Sequence, residues 1–284
     1  MRANYLKRGM KKSIFIIVSA AVLLTGCANE LNRVYKSTDY DYRYEYAKQC
    51  FATGKYAAAE NLLIDLITIK KGSDEAQESL YMLAMSQYMN KDYESASETF
   101  QKYFTTYPNT KLAEHASYYV GRSLYKGSPE PRLDQTPTLG AINAFQRYLD
   151  TYPDSPMRKE AQEALFELQD KLVMKELLSA KLYYNLGGYF GNINSNTESN
   201  YISCIVTAQN ALKFYPYSKW REDFSMLILK SKYHLALNSS RDKQLERYRE
   251  AEDECYGFIN EFPDSPNLSQ AKKMLEKCRK VTKD

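Results

Sequence analysis

A short cassette recurs four times along this chain of 284 residues. In each copy a small residue precedes a proline by 12 positions, and the residue before the proline is aromatic. The four copies are Ala96–Pro108, Ala141–Pro153, Cys204–Pro216 and Ala251–Pro263. A fifth stretch, Ala59–Lys71, keeps the small residue but lacks the proline. Fixed spacing within helix-patterned sequence is typical of stacked helical hairpins, because each hairpin buries its apolar face only against its neighbours.

The cassette predicts an all-α fold, a superhelical stack of about five tetratricopeptide-like hairpins with a C-terminal capping helix from Ser265 onward. Each proline ends one helix, and the residue two positions after it is a good N-cap for the next. These caps are Thr110, Ser155, Ser218 and Ser265. Pro156 and Pro266 fit the first turn of the following helix, where no amide donor is missed. Ala59–Lys71 lacks this element, so we expect a looser link after the first hairpin.

The distance between successive cassettes varies. The small residues at 59, 96, 141, 204 and 251 are separated by 37, 45, 63 and 47 residues, which exceeds the ideal period of about 34. The excess predicts insertions. Gly127–Pro137 holds three prolines that forbid a continuous helix. A long helical pattern from Arg158 to Tyr184 precedes a Gly/Asn/Ser-rich stretch, Gly187–Asn200, which we interpret as a mobile loop, and Asn238–Lys243 is a short polar insert.

The N-terminus has the pattern of an export signal. Five basic residues precede the apolar run Ile14–Leu24, whose 11 residues fall short of the roughly 20 that span a membrane. Leu24-Thr25-Gly26-Cys27 follows and resembles the bacterial lipobox. The resemblance implies a signal peptide over 1–26 and an acylated Cys27, carrying palmitate or a similar chain, as the mature N-terminus. Ala28, in place of an Asp, favours the outer membrane; an uncleaved anchor or a plain signal peptide is the alternative.

The remainder of the chain is interpreted as a tether and two sets of repeats. Residues 27–42 form a polar, tyrosine-rich lipidated tether without a clear helical stripe. Repeats 1–3 occupy 43–157, and repeats 4–5 with the capping helix occupy 158–284. Without the leader the chain has 34 basic and 35 acidic residues, a net charge of −1. Such a chain has no electrostatic footprint for nucleic acid.

Signals of catalysis are weak. The two histidines, His115 and His234, lie in different hairpins without further His or Cys at metal-ligand spacing. The sequence has no nucleophile elbow, P-loop or dinucleotide fingerprint. We therefore expect no catalytic residue, metal or cofactor, and an exposed or capping role for His115. The cysteines that follow the lipobox are interpreted as buried packing residues, although export would permit a disulfide between an undetermined pair. They are Cys50, Cys204, Cys255 and Cys278.

Aromatic side chains and an arginine concentrate on the first helices of repeats two and three, the helices that line the inner face of such stacks. These candidate contact residues are Tyr81, Tyr88, Tyr118, Tyr119, Arg122 and Tyr125. Aromatic residues and arginine dominate the energetics of many protein contacts. The pattern predicts a surface for an extended or helical peptide. The alternative is that about half of these tyrosines pack between hairpins.

The insertion in the third repeat is the most specific motif in the chain. It reads Ser128-Pro-Glu-Pro-Arg-Leu-Asp-Gln-Thr136 and leads into the cassette Ala141–Pro153. With the lipobox and the five hairpins, this motif resembles the BamD family, lipoproteins of the outer-membrane β-barrel assembly machine. The resemblance implies a non-enzymatic subunit on the periplasmic face of the outer membrane. Its implied partners are the POTRA domains of a BamA-like barrel protein and unfolded outer-membrane β-barrel proteins.

The same resemblance implies roles for individual residues. Those implied to contact unfolded substrates are Tyr118, Tyr119, Arg122, Asp134 and Gln135. Trp220 and Arg221, just after the Cys204–Pro216 cassette, are implied to hold the barrel-forming partner. Two other classes stay open: a periplasmic tetratricopeptide adaptor for envelope or peptidoglycan coordination, and a glycan-binding outer-membrane lipoprotein.

Overall fold

The computed structural model describes residues 30–187 and 199–283. Every regular element within these ranges is an α-helix. The helices are α1 (30–35), α2 (Tyr40–Ala52), α3 (Tyr56–Ile69), α4 (Asp74–Met89), α5 (Tyr93–Thr106), α6 (Ala113–Gly127), α7 (Thr136–Thr151), α8 (Arg158–Leu186), α9 (Asn200–Phe214), α10 (Arg221–Leu237), α11 (Arg241–Glu261) and α12 (Leu268–Thr282). The predicted leader 1–26, the lipid site Cys27 and residues 188–198 of the predicted loop lie outside the described residues.

The helices belong to two compact units. Of the described residues, the first unit comprises those up to Gly127 together with Gly140–Gln162, and the second comprises Ser128–Leu139 together with those from Glu163 onward. In the first unit, each helix from α2 to α6 packs against the next, and in the second unit α9 to α12 do the same. Short turns join these neighbours, which is the arrangement of successive helical hairpins. The predicted all-α, tetratricopeptide-like fold is therefore confirmed.

Three positions of every cassette are buried. They are the small residue and the residues four and seven positions later, and none is more than 2% exposed. The five sets are Ala59/Leu63/Leu66, Ala96/Phe100/Tyr103, Ala141/Phe145/Tyr148, Cys204/Ala208/Ala211 and Ala251/Cys255/Phe258. This spacing places all three on one face of a helix. The cassette therefore marks the core-facing stripe of the second helix in each hairpin.

The residue before the cassette proline ends its helix. Tyr107, Tyr215 and Phe262 are C-caps with φ of −127°, −130° and −125°. Their ψ values of 56°, 62° and 65° lie outside the helical region. Steric contact with the proline ring disfavours helical geometry at the preceding residue. The last helical residue therefore lies two positions before the proline, at Thr106, Phe214 and Glu261.

A serine after the cassette closes the turn that precedes the next helix. The Oγ atoms of Ser155, Ser218 and Ser265 accept hydrogen bonds from the amide two residues later, at 3.0, 3.1 and 2.9 Å. The prediction that these serines are N-caps is wrong, because the N-caps of α10 and α12 are Trp220 and Asn267, which make no side-chain capping bond. The following helices begin three residues after each serine. Pro156 and Pro266 therefore lie in the turn before the helix and not in its first turn, which corrects the prediction, because the serine closes a separate turn.

The segment before the first hairpin differs from its prediction. Residues 30–35 form α1 where a tether without a helical stripe was expected. Leu31 and Val34 lie on one edge of α1 and pack against α2 and α3, and Val34 is fully buried. A looser link was also expected after α3. Instead, the helix that follows, α4, has an N-cap, since Ser73 Oγ accepts a hydrogen bond of 3.3 Å from the amide of Ala76.

The connector and the long helix agree with the sequence pattern. Residues 128–135 are not helical, and the helix predicted over 158–184 is α8, Arg158–Leu186. The four cysteines after the lipobox are buried and free, so they serve as apolar packing residues. None of the described helices combines the length and apolar character needed to cross a membrane.

Candidate partner-binding surface

Four tyrosines and an arginine form a half-buried surface on α4 and α6 of the first unit. We call this group, which consists of Tyr81, Tyr88, Tyr119, Arg122 and Tyr125, the tyrosine surface. It is built on the aromatic residues of the α5 cassette. The ring of Tyr81 lies 5.9 Å from that of Phe100 and 5.5 Å from that of Tyr103. The buried cassette thus holds the aromatic residues above it in place.

The arginine of this surface is held by its aromatic neighbours. The rings of Tyr88 and Tyr119 meet edge to face at 5.0 Å. Arg122 donates a hydrogen bond to Tyr88, and its Cζ lies 5.2 Å from the centre of the Tyr125 ring. Cation–π contact and a hydrogen bond together restrict a long side chain. The guanidinium is therefore preorganised between the Tyr125 ring and its hydrogen bond to Tyr88.

His115 joins the tyrosine surface, contrary to the exposed or capping role that was predicted. Its Nδ1 shares a hydrogen bond with the hydroxyl of Tyr81, and its ring lies 4.6 Å from that of Tyr119. Burial lowers the pKa of His115 and raises that of Tyr119, so both are neutral at pH 7. The spacing of four residues between His115 and Tyr119 is the sequence signal that places them on one helical face.

Two of the predicted contact residues are buried. Tyr118 is 5% exposed, its ring packs on Tyr148, and its hydroxyl donates to Glu160 Oε2 at 3.2 Å. Gln135 is 3% exposed. Both side chains thus make contacts within the neighbouring structure, and their role toward a partner stays a prediction. Asp134 is exposed and accepts a hydrogen bond of 3.4 Å from the amide of Thr136.

The second pair of predicted residues lies at the start of α10 in the second unit. The side chain of Trp220 is partly buried against the core of α8 to α10, and Lys219 Nζ lies 5.5 Å from its ring centre. Arg221 Nη1 donates to the carbonyl of Pro216 at 3.3 Å, and its Nε pairs with Glu261. About two-fifths of the Arg221 side chain remains exposed, so it fastens the turn and still meets solvent.

Within residues 30–187 and 199–283, no three His, Cys, Asp or Glu side chains lie close enough together to hold a metal ion. The tyrosine surface and the pair Trp220 and Arg221 consist of aromatic and cationic groups. Such groups recognise polypeptide by stacking, hydrogen bonding and charge.

Comparison with known proteins identifies the family. The YfiO family model, described as outer membrane lipoprotein, matches residues 37–198. The chain belongs to this family of outer membrane lipoproteins. The match covers the first hairpin, the tyrosine surface, the connector and α8, so the resemblance predicted from the sequence is confirmed at the level of the family. Membership also places this YfiO-family chain at the outer membrane.

A curated relative carries a related name. Over 107 residues the chain is 38% identical to the putative outer membrane protein assembly factor BamD of Aquifex aeolicus (strain VF5). The match spans 38% of this chain and 35% of the relative. Two crystal structures of Podosopora anserina putative kinesin light chain, with nearly identical TPR-like repeats, align over 84% of this chain and 92% of theirs. Their identities are 12% and 11%, with a TM-score of 0.31 for each.

Proposed function

We propose that this protein is a lipid-anchored periplasmic subunit of the outer-membrane β-barrel assembly machine. The observation that carries the proposal is the YfiO family match over residues 37–198, which spans the tyrosine surface. A relative named as an assembly factor supports the same role. The protein acts as a non-enzymatic scaffold that holds unfolded barrel proteins near the partner that inserts them.

The tyrosine surface receives an extended segment of an unfolded outer-membrane barrel protein. Such segments alternate apolar and polar side chains. Rings such as Tyr88 and Tyr119 offer apolar contact area at a low cost in side-chain entropy. Arg122 offers a charged donor for a carbonyl group or a carboxylate of the peptide. The tyrosine rings and Arg122 thus offer contacts to the apolar and the polar side chains of the strand, respectively.

The surface around Trp220 and Arg221 holds the POTRA domains of a BamA-like barrel protein. Trp220 supplies an aromatic body, and Arg221 supplies donors that its local hydrogen bonds have already oriented. Aromatic and arginine anchors with fixed geometry are typical of the residues that dominate protein interfaces. The two partners therefore bind to different compact units of the chain.

A peptide titration tests the substrate surface. We expect a fluorescent peptide from the C-terminal strand of an outer-membrane barrel protein to lose about 10-fold or more in affinity with Tyr119→Ala and Arg122→Ala. Tyr217→Ala is the matched control, since Tyr217 is 99% exposed in the second unit and should leave affinity unchanged. Equal affinity in all three variants contradicts the assignment of the tyrosine surface.

Co-purification from gently solubilised membranes tests the partner surface. Arg221→Ala should lower recovery of a POTRA-containing barrel protein. Arg158→Ala is the control, because Arg158 Nη1 donates to the carbonyl of Pro153 at 3.0 Å in the same local arrangement. A loss with both variants would point to a damaged turn, and a loss with neither would exclude Arg221 from the interface.

A further inference from the structure

A groove lies between the connector 128–135 and the C-terminal part of α8, within the second unit. Its volume is about 450 Å³. Arg132 and Pro131 of the connector form one wall, and Lys175, Leu178 and Leu182 of α8 are among the residues that form the other. None of the roles assigned above uses this groove.

The connector wall is held rigidly by hydrogen bonds. Gln135 Nε2 donates to the carbonyl oxygens of Glu130 at 2.7 Å and Leu133 at 3.1 Å. Its Oε1 accepts from Thr138 Oγ1 at 2.7 Å. A buried amide that meets three partners fixes the loop around it. This is a physical role for the buried Gln135, which orders the residues that carry Arg132.

A lysine ties the connector to α8. Lys171 Nζ donates to Ser128 Oγ at 2.7 Å and to the Ser128 carbonyl at 3.2 Å. The two walls are thus joined at one end of the groove, one helical turn before Lys175. A groove whose walls are joined needs little rearrangement to bind a ligand, which lowers the entropic cost of binding.

The described lining of the groove is cationic and aliphatic. Arg132, Lys175 and Lys181 contribute positive charge, and no Asp or Glu lies among its described lining residues. Lys181 Nζ is 3.4 Å from Asp223 Oδ1, a surface pair that a ligand carboxylate can replace at little cost. Leu182 is 57% exposed in the groove. The lining therefore combines an exposed aliphatic side chain with three cations around it.

The dimensions fit a short extended peptide. Residues 175 to 185 of α8 line the groove over about 15 Å, at the rise of an α-helix. An extended chain covers that length with about five residues. Side chains on alternate positions of such a peptide reach the cations and the leucines separately. A flat lipid surface would not use a groove that is closed by the connector on one side.

We propose that this groove is a docking site for an acidic, leucine-containing extended segment of another protein. Carboxylates of the segment meet Arg132, Lys175 and Lys181, and its aliphatic side chains lie on Leu178 and Leu182. The site goes beyond the proposed function, because it is formed by residues of the second unit other than Trp220 and Arg221. It would let the protein hold a further partner while both proposed surfaces are occupied.

Fluorescence anisotropy on the full chain tests this site. The probe is a labelled peptide of alternating Asp and Leu residues, and an alternating Lys and Leu peptide is the control ligand. We expect the acidic peptide to bind and the basic peptide not to bind. Arg132→Glu with Lys175→Glu should weaken binding at least 10-fold, and Leu182→Ser should also weaken it. Lys273→Glu, an exposed lysine on α12, is the matched charge reversal and should have no effect.

Other outcomes overturn the proposal. Equal losses with Lys273→Glu and the double reversal would show a general charge effect and no site. Binding to vesicles containing phosphatidylglycerol that only the double reversal abolishes, without peptide binding, would identify a membrane contact. Self-association in sedimentation that the same reversal abolishes would identify a second copy as the occupant. Arg132→Gln with Lys175→Gln tests the same contacts without introduced negative charge, and unchanged binding in that variant also excludes the site.

Discussion

Gly121 of α6 lies directly against the ring of Phe145 on α7. A Cβ atom at position 121 would be 2.8 Å from Cδ1 of that ring, closer than van der Waals contact allows. Phe145 is fully buried as the second core position of its cassette, so the ring has little room to move. The absence of a side chain at Gly121 therefore sets how closely α6 and α7 approach.

Gly121→Ala should destabilise the protein because it overpacks this contact. We expect the free energy of unfolding to fall by about 1 to 3 kcal/mol, measured by denaturant unfolding. Gly257→Ala is the control, since a Cβ at this position in α11 meets no atom within 4 Å. That variant should gain about 0.5 to 1 kcal/mol from helix propensity. Equal effects of the two substitutions would contradict the close packing.

The turns after α2 and α4 have the same geometry but different residues. Lys91 has a φ of 66°, and Gly54 has a φ of 75° at the matching position. The left-handed backbone conformation costs a residue with a side chain about 1 kcal/mol relative to glycine. Lys91→Gly should therefore raise the free energy of unfolding by about 0.5 to 1 kcal/mol, and Gly54→Ala should lower it by a similar amount. Thermal unfolding of the two variants measures both changes in stability.

Loss of the Ser155 hydroxyl should weaken the turn that precedes α8. Ser155 Oγ accepts a hydrogen bond of 3.0 Å from the amide of Met157 and also bonds the hydroxyl of Tyr148. Ser155→Ala should cost about 1 kcal/mol through the loss of these hydrogen bonds, and Ser155→Thr should retain most of them. Unchanged thermal stability in the alanine variant would show that another group satisfies the amide.

Two half-buried histidines should make the protein less stable in mild acid. Burial lowers the pKa of His115, and burial with Lys230 and Lys277 lowers that of His234. In the unfolded chain a histidine titrates near pH 6.5, so the unfolded state binds more protons below about that pH. The free energy of unfolding should therefore fall as the pH drops from about 7.5 to 5.5.

Substitution separates the two histidines. His115→Gln should flatten part of this pH dependence, and His234→Gln should flatten the rest, in chemical unfolding at a series of pH values. Each variant serves as the control for the other, because they lie in different units. A slope that neither substitution changes would assign the acid sensitivity to carboxylates.

Sequence periodicity predicts the buried stripe well and the neighbours of that stripe poorly. The small residue of each cassette is fully buried in all five copies, because spacing alone puts it on the core face. Spacing does not show which groups meet across helices. The partner of His115 is Tyr81 on another helix, 34 residues away in sequence, and no local pattern relates them.

The hydrogen-bond partners of polar side chains in loops could not be predicted from the sequence either. Gln135 was predicted as a contact residue because its motif is specific, yet its amide is used inside the connector. A polar side chain in a loop can bind a partner or satisfy the loop backbone, and composition does not distinguish the two. The tyrosines divide in the same way: Tyr118 packs in the core, whereas Tyr119, the next residue on α6, lies at the surface.

The cassette also fixes the length of helix that follows its small residue. In all five copies the last helical residue lies ten positions after the small residue, which corresponds to about 15 Å of helix. The second helix of every hairpin therefore ends at the same distance from its first buried residue. Extra residues inserted between cassettes leave this measure intact. A single residue inserted within a cassette would rotate the buried residues that follow the insertion by about 100° relative to those before it. The end of the helix would then no longer keep its position relative to the core.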